Sequence, residues 1–141
     1  MRKLFFYALA LILLDQITKY LMQGKSFFSG FFSLNYVVNK GAAFGLLQGG
    51  RWFFIITAII VIAYILVEYK KIKHKFGLVL LFAGSLSNCF DRLFLGYVRD
   101  FISIKYFSTF NFADIFNVLG VGLIFYFYIK GIYPKKLKEK A

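Results

Sequence analysis

One cysteine, Cys89, and one histidine, His74, are all that this chain of 141 residues offers to thiol or soft-metal chemistry. A lone cysteine excludes a disulfide within the chain, and one Cys with one His excludes a Cys/His metal cluster. A His-Glu-x-x-His zinc site fails on the same count. Acidic residues are scarce as well: six, against eighteen Lys and Arg, for a net charge of +12. Charged residues make up only 17% of the chain, and hydrophobic residues 60%. A soluble domain of this length could not hide so much apolar surface, so its solvent is lipid. Twenty Phe and ten Tyr suit a lipid-facing surface with interfacial belts. The length sets one domain over residues 1–141.

What is present is four long apolar stretches, near residues 4–22, 50–69, 76–95 and 112–129. Each approaches the ~20 residues a helix needs to cross the hydrocarbon core. Asp91 and Arg92 make the third the weakest. The first stretch follows Arg2 and Lys3 as a secretory signal would, but Asp15, Gln16 and Lys19 interrupt it and no Ala-x-Ala-like site follows, so a retained helix is expected. The basic residues cluster at Arg2 and Lys3, at Lys70, Lys71, Lys73 and Lys75, and at Lys130, Lys135, Lys136, Lys138 and Lys140. The remaining connections hold Lys25, Lys40, Arg51, Arg99 and Lys105. By the positive-inside rule both termini are cytoplasmic, with two connections outside. The same clustering directs the charge to membrane lipid and away from nucleic acid as a partner.

The outer connections carry structure. Residues 31–38 and 101–107 are rich in aromatic and β-branched types, and residues 102–106 alternate with period two, so short strands on the outer surface are expected. Residues 39–45 read as a tight loop of small residues. The fold class is therefore an all-α membrane protein of four transmembrane helices with a small extracytoplasmic β-element.

Depth singles out four aspartates. At ~1.5 Å per residue, Asp15 lies roughly 17 Å along an outward helix and Asp91 roughly 22 Å along another. Asp100 follows the third helix, and Asp114 is in the first turn of the fourth. All four converge on the outer half of the membrane, where an ionised group costs on the order of 2.5–3.5 kcal/mol. Asp15 and Lys19 are four apart on one helical face and can pair. Asn88 and Asp91 share a face beside Arg92, as a network that positions something or as an inter-helix clamp. Asp100 and Asp114 have no basic partner at helical spacing, since Arg99 would point away from its neighbour in an extended segment. Asp114 alone reads as a helix-start carboxylate favoured by the macrodipole. Taken together, two close carboxylates share a proton, so one serves as base while the other serves as acid. A Ser–His site would need His74, on the cytoplasmic loop; a Ser–Lys dyad of Lys19 with Ser85 or Ser87 survives only weakly, because Lys19 has Asp15 beside it. A proton-coupled transporter subunit is the rival reading, but a relay needs acids spread through the membrane depth, and Glu68 is interfacial.

Four segments resemble the lipoprotein signal peptidases (signal peptidase II). They are Asp15-Gln16-Ile17-Thr18-Lys19; Asn39-Lys40-Gly41-Ala42-Ala43-Phe44-Gly45; Asn88-Cys89-Phe90-Asp91-Arg92 with Gly96, Val98, Asp100, Phe101 and Ile102; and Phe110-Asn111-Phe112-Ala113-Asp114. The resemblance implies an aspartic endopeptidase of the bacterial inner membrane, with its site at the outer face. It implies Asp100 and Asp114 as the catalytic dyad, Asn39, Asn88, Asp91, Arg92 and Asn111 as substrate-binding or supporting residues, and Asp15 with Lys19 as a structural polar pair. The implied substrate is a prolipoprotein carrying diacylglycerol on its cysteine, cut just before that cysteine. No cofactor or metal is implied; globomycin is the expected inhibitor and a monomer the expected state. Two positions depart from the family pattern: Ser87, where glycine is usual, and Arg99, where an apolar residue is common.

Overall fold

A computed structural model describes residues 2–28, 30–41, 49–70, 72 and 75–131. The element order is α1 (Arg2–Met22), β1 (Ser26–Phe27), β2 (Phe32–Asn39), α2 (Arg51–Glu68), α3 (Phe76–Phe94), β3 (Val98–Ile104), β4 (Thr109–Phe110) and α4 (Phe112–Ile129). Among the described residues, four helices are long and apolar enough to cross a membrane. Their bounds follow the four apolar stretches to within two residues. Helices α2 and α4 are crowded with β-branched and aromatic residues, which are mediocre helix formers in water. In lipid the backbone must satisfy itself, so helix is the only local choice for such a segment.

Helix α3 is the hub. Of its span 56% is buried, against 11–17% in the other three. The remaining helices pack around it, and α2 and α4 share no comparable contact with each other. Small residues set the closeness of α3 to α4. A Cβ on Gly120 would stand 2.8 Å from the Gly77 carbonyl, and one on Gly84 would collide with the Ala113 carbonyl.

The four strands form one antiparallel sheet in the order β1-β2-β3-β4. Gly96, at φ 84, reverses the chain out of α3, so β3 starts two residues later. That start is three residues ahead of the expected 101–107 strand. The strand also ends sooner: Lys105 and Tyr106 belong to the turn into β4, with Tyr106 in the left-handed region at φ 67. Strand β2 runs one residue beyond expectation, so Asn39 ends a strand, opposite Val98, and does not begin the loop. Residues 42–45 of that loop, His74 and the lysine-rich tail from residue 132 lie outside the described residues.

Candidate active site

Two networks of polar groups meet where the sheet joins the helix ends. The first is built on cations. Lys19 is wholly buried and spends its ammonium on Asp15 Oδ2 at 2.7 Å, Asn88 Oδ1 at 2.8 Å and Asp91 Oδ2 at 3.3 Å. Arg99, from β3, grips Asp91 at 2.7 Å and donates to Gln16 Oε1 at 2.7 Å. Its backbone N–H also donates to Asp91 Oδ2, at 3.0 Å. Asp15 accepts from the Ser87 hydroxyl at 2.6 Å and from the Ala113 N–H at 3.0 Å. Two carboxylates and two cations thus tie α1, α3, β3 and the start of α4 into one neutral clamp.

In the second network no cation among the described residues is in direct contact with the carboxylates. Asp100 is 1% exposed; its Oδ1 accepts from Asn111 Nδ2 at 2.6 Å and its Oδ2 from Asn39 Nδ2 at 2.8 Å. Asp114 accepts from Asn88 Nδ2 at 2.8 Å and from the Asn111 backbone N–H at 3.1 Å. Asn111 caps α4: its side chain accepts from the Asp114 N–H, which closes a reciprocal capping box. The same Asn111 amide donates to Asn88 Oδ1 at 3.1 Å, so Asn88 and Asn111 bridge the two acids. The helix-start reading of Asp114 is therefore correct as local structure, and the carboxylate still faces the second network. Burial, and after it the neighbouring Asp114 carboxylate, push the Asp100 carboxyl up to about 7, against the lowering effect of its two amide donors.

Both acids line a cavity of about 690 Å³ walled by α2 on one side and α4 on the other, with α3 behind. Helices α2 and α4 both pack on α3 and make little contact with each other, which leaves this space between them. Arg92 reaches this cavity, stacked 4.6 Å over the Phe54 ring with a guanidinium N–H 3.4 Å from the Gly41 carbonyl. It makes no bond to Asp91; the partners of Asp91 are Lys19, Arg99 and Gln16. The face shared by Asn88 and Asp91 is thus a clamp through Lys19, and Arg92 points elsewhere. With every ammonium donor engaged, Lys19 is not free to serve a serine: Ser87 is bonded to Asp15, and Ser85 to Asn117.

Sequence reasoning left five contributors without a role in the site. Gln16 donates to Ser87 and Asp91 while accepting from Arg99. Ser87 and Arg99, the two departures from the family pattern, join the clamp directly, through Asp15 and Asp91, and Gln16 bonds to both. Phe54 and Asn117 line the cavity. Helical spacing signals none of these: Arg99 and Asp91 are 8 residues apart across a turn, Ser85 and Asn117 are 32 apart, and the contacts of Gln16 with Ser87, Asp91 and Arg99 span 71 or more.

Comparisons with known proteins identify what the chain and its fold are similar to. The family model described as "Signal peptidase (SPase) II" matches residues 7–130. The chain is 38% identical over 134 residues to the lipoprotein signal peptidase of Symbiobacterium thermophilum, covering 84% of this chain and 88% of that protein. It is 41% identical over 128 residues to the one from Caldicellulosiruptor bescii, covering 83% and 84%. A bacterial membrane enzyme solved by the in meso method at 2.3 Å superposes with a TM-score of 0.83 at 33% identity, covering 96% of this chain and 92% of that one.

Proposed function

Since the chain belongs to the signal peptidase II family, as a membrane peptidase that cleaves signal peptides from lipoproteins, we propose that it does so with Asp100 and Asp114 acting as a water-activating pair. The observation that carries this reading is the pair itself: buried Asp100 and half-buried Asp114, joined through Asn88 and Asn111, with no cation bonded to either among the described residues, lining one cavity between α2 and α4.

The chemistry follows from one shared proton. Asp100, pushed up to about 7 by burial and by Asp114, is the member of the pair that carries that proton below about that pH and hydrogen-bonds the scissile carbonyl. Asp114, held by Asn88 and its capping partner, takes a proton from water as the water oxygen attacks the carbonyl carbon. The tetrahedral diol then collapses. Its C–N bond breaks, the amide nitrogen leaves with a proton from the pair, and the second product is a carboxylate. No acyl-enzyme forms. Asn39, Asn88 and Asn111 aim the carboxyl oxygens, and Arg92 lines the path of the substrate backbone. Asp15, Lys19 and Asp91 hold the helices that carry them.

The lysine distribution supports cytoplasmic termini and a site at the outer face of the bacterial inner membrane. There the diacylglycerol of a modified prolipoprotein stays in the bilayer while the bond before its cysteine reaches the carboxylates. The mostly apolar cavity between α2 and α4 suits a lipopeptide inhibitor of the globomycin kind, bound by a monomer. The test is cleavage of matched precursor peptides with and without diacylglycerol. At ~0.8 kcal/mol per buried methylene, about four buried methylenes already give a loss of roughly 100-fold in kcat/KM for the unmodified peptide. Equal rates on both would overturn the lipid requirement.

A further inference from the structure

Below the two acids the cavity carries a second polar rung. Ser85 lies three residues before Asn88 on α3, and Asn117 lies three after Asp114 on α4, so both sit ~4.5 Å farther from the sheet than the pair. They line the same cavity. Ser85 donates its hydroxyl to Asn117 Oδ1 at 3.3 Å. That bond orients the amide and leaves its Nδ2 without a hydrogen-bond partner among the described residues. Room for the amide comes from Gly84, where a Cβ would stand 2.5 Å from Asn117 Oδ1. Across the cavity Thr57 is turned back on the Phe53 carbonyl at 2.8 Å, so it competes for nothing here.

An amide is costly in this position. Residues 115–125 of α4 hold no other amide or charged side chain, and the neighbours Ile115, Val118 and Leu119 are apolar. An unused donor facing lipid depth loses its hydration and gains nothing until something accepts from it. The substrate brings the missing acceptors. A signal peptide crosses the bilayer as a helix with its carbonyls satisfied, but its chain must be extended where a peptidase attacks it. Unwinding leaves main-chain carbonyls bare on the signal-peptide side of the cut, and in an apolar groove each needs a donor. At ~3.3 Å per extended residue, the ~4.5 Å offset from the acids reaches the carbonyl one or two residues before the scissile bond.

We infer that Asn117, oriented by Ser85, is a substrate-binding residue that donates its amide N–H to a main-chain carbonyl of the signal peptide one or two residues before the scissile bond. This rests on the Asp100–Asp114 reading for the location of the cut. It makes the enzyme a reader of the unwound backbone at that point, independent of side-chain identity there, and it would favour precursors whose helix is easily undone before the cysteine.

The experiment is a cycle between enzyme and substrate. Diacylglyceryl precursor peptides are made with the normal carbonyl, or with a reduced CH₂–NH unit, at each of the two positions before the scissile bond. Wild type, Asn117→Leu and Asn117→Ala are assayed for kcat and KM per folded enzyme. Asn117→Leu should lower kcat/KM about tenfold on the normal peptide, mostly through KM, as the loss of one hydrogen bond in a dry groove. Wild type should lose a similar factor on one of the reduced peptides, and Asn117→Leu should lose little more on it. Asn117→Ala repeats the cycle should leucine overfill the groove, and Ser85→Ala should give a smaller KM rise by loosening the amide. Additive losses, or an unchanged KM in both Asn117 variants, would overturn the inference. Turnover by Asp100→Asn in the same assay would instead sink the dyad reading and leave the cycle to be judged on its own.

Discussion

Four aspartates, three buried and Asp114 partly so, gather where the sheet joins the helix ends, and their surroundings divide them two and two. Asp15 and Asp91 are neutralised by Lys19 and Arg99 at 2.7 Å. Among the described residues, Asp100 and Asp114 meet only amide and backbone N–H donors, from Asn39, Asn88 and Asn111. A cation in contact fixes a carboxylate in its charged form and turns it into mechanical glue. An amide orients a carboxylate without supplying charge, so two such groups side by side must settle their repulsion by sharing a proton. In the proposed mechanism the same residue type is thus structural in one network and chemically active in the other. Asn88 touches both, accepting from Lys19 and donating to Asp114. The clamp therefore holds the pair through a neutral link.

The largest separation between the networks should appear in turnover. Asp100→Asn and Asp114→Asn, near-isosteric exchanges, should each cut turnover per folded enzyme by on the order of 10²–10⁴-fold or more. The double variant should lose little beyond either single one, because the two act as a unit. Retained turnover in either single variant, measured alongside a thermal melt in detergent, would remove the distinction. A chelator should leave wild-type activity unchanged.

Stability should separate them the other way. Asp91→Asn leaves Arg99 and part of Lys19 uncompensated in a buried site, and breaking such a pair costs about 3–5 kcal/mol. Asp15→Asn should act similarly through Lys19. Both variants should melt well below wild type and still turn over in the folded fraction. If Asp15→Asn folds as well as wild type yet is inactive, the clamp has a chemical role as well.

A subtler contrast lies in pH. Asp100 has its carboxyl pushed up to about 7 by burial and by Asp114. A raised folded value favours the protonated form, so the stability it contributes is present at acid pH and is lost as pH rises through about 7. The acid needed for the carbonyl is lost over the same range, which places the alkaline limb of kcat/KM near 7. In melts across that window Asp100→Asn should flatten the decline seen in wild type. An alkaline limb well above 9 with an unchanged melt profile would assign the acid to another group.

Much of this was legible in the residues. Four apolar runs of near-bilayer length could only be helices, because lipid leaves the backbone no other partner. Asp15 and Lys19 pair by helical spacing alone, at four residues apart on α1. The isolation of Asp100 from Arg99 was equally readable, since neighbours on a strand face opposite ways. Arg99 duly turns to Asp91 and Gln16, and Asp100 to Asn39 and Asn111.

Other choices belong to the tertiary structure. Which cation meets Asp91 could not be read locally: Arg92 is adjacent in sequence, but a one-residue step on a helix turns it by ~100° toward Phe54 and the cavity. Gly96 then folds β3 back so that Arg99 arrives in its place. The gap between α2 and α4 exists because both pack on α3 and not on each other, and no pattern within either helix encodes that. Helical period and bilayer length are local quantities, which a chain carries in its residue order. The partner of a buried charge and the place of a cavity depend on which distant segments the hub helix gathers, and only the folded chain brings those together.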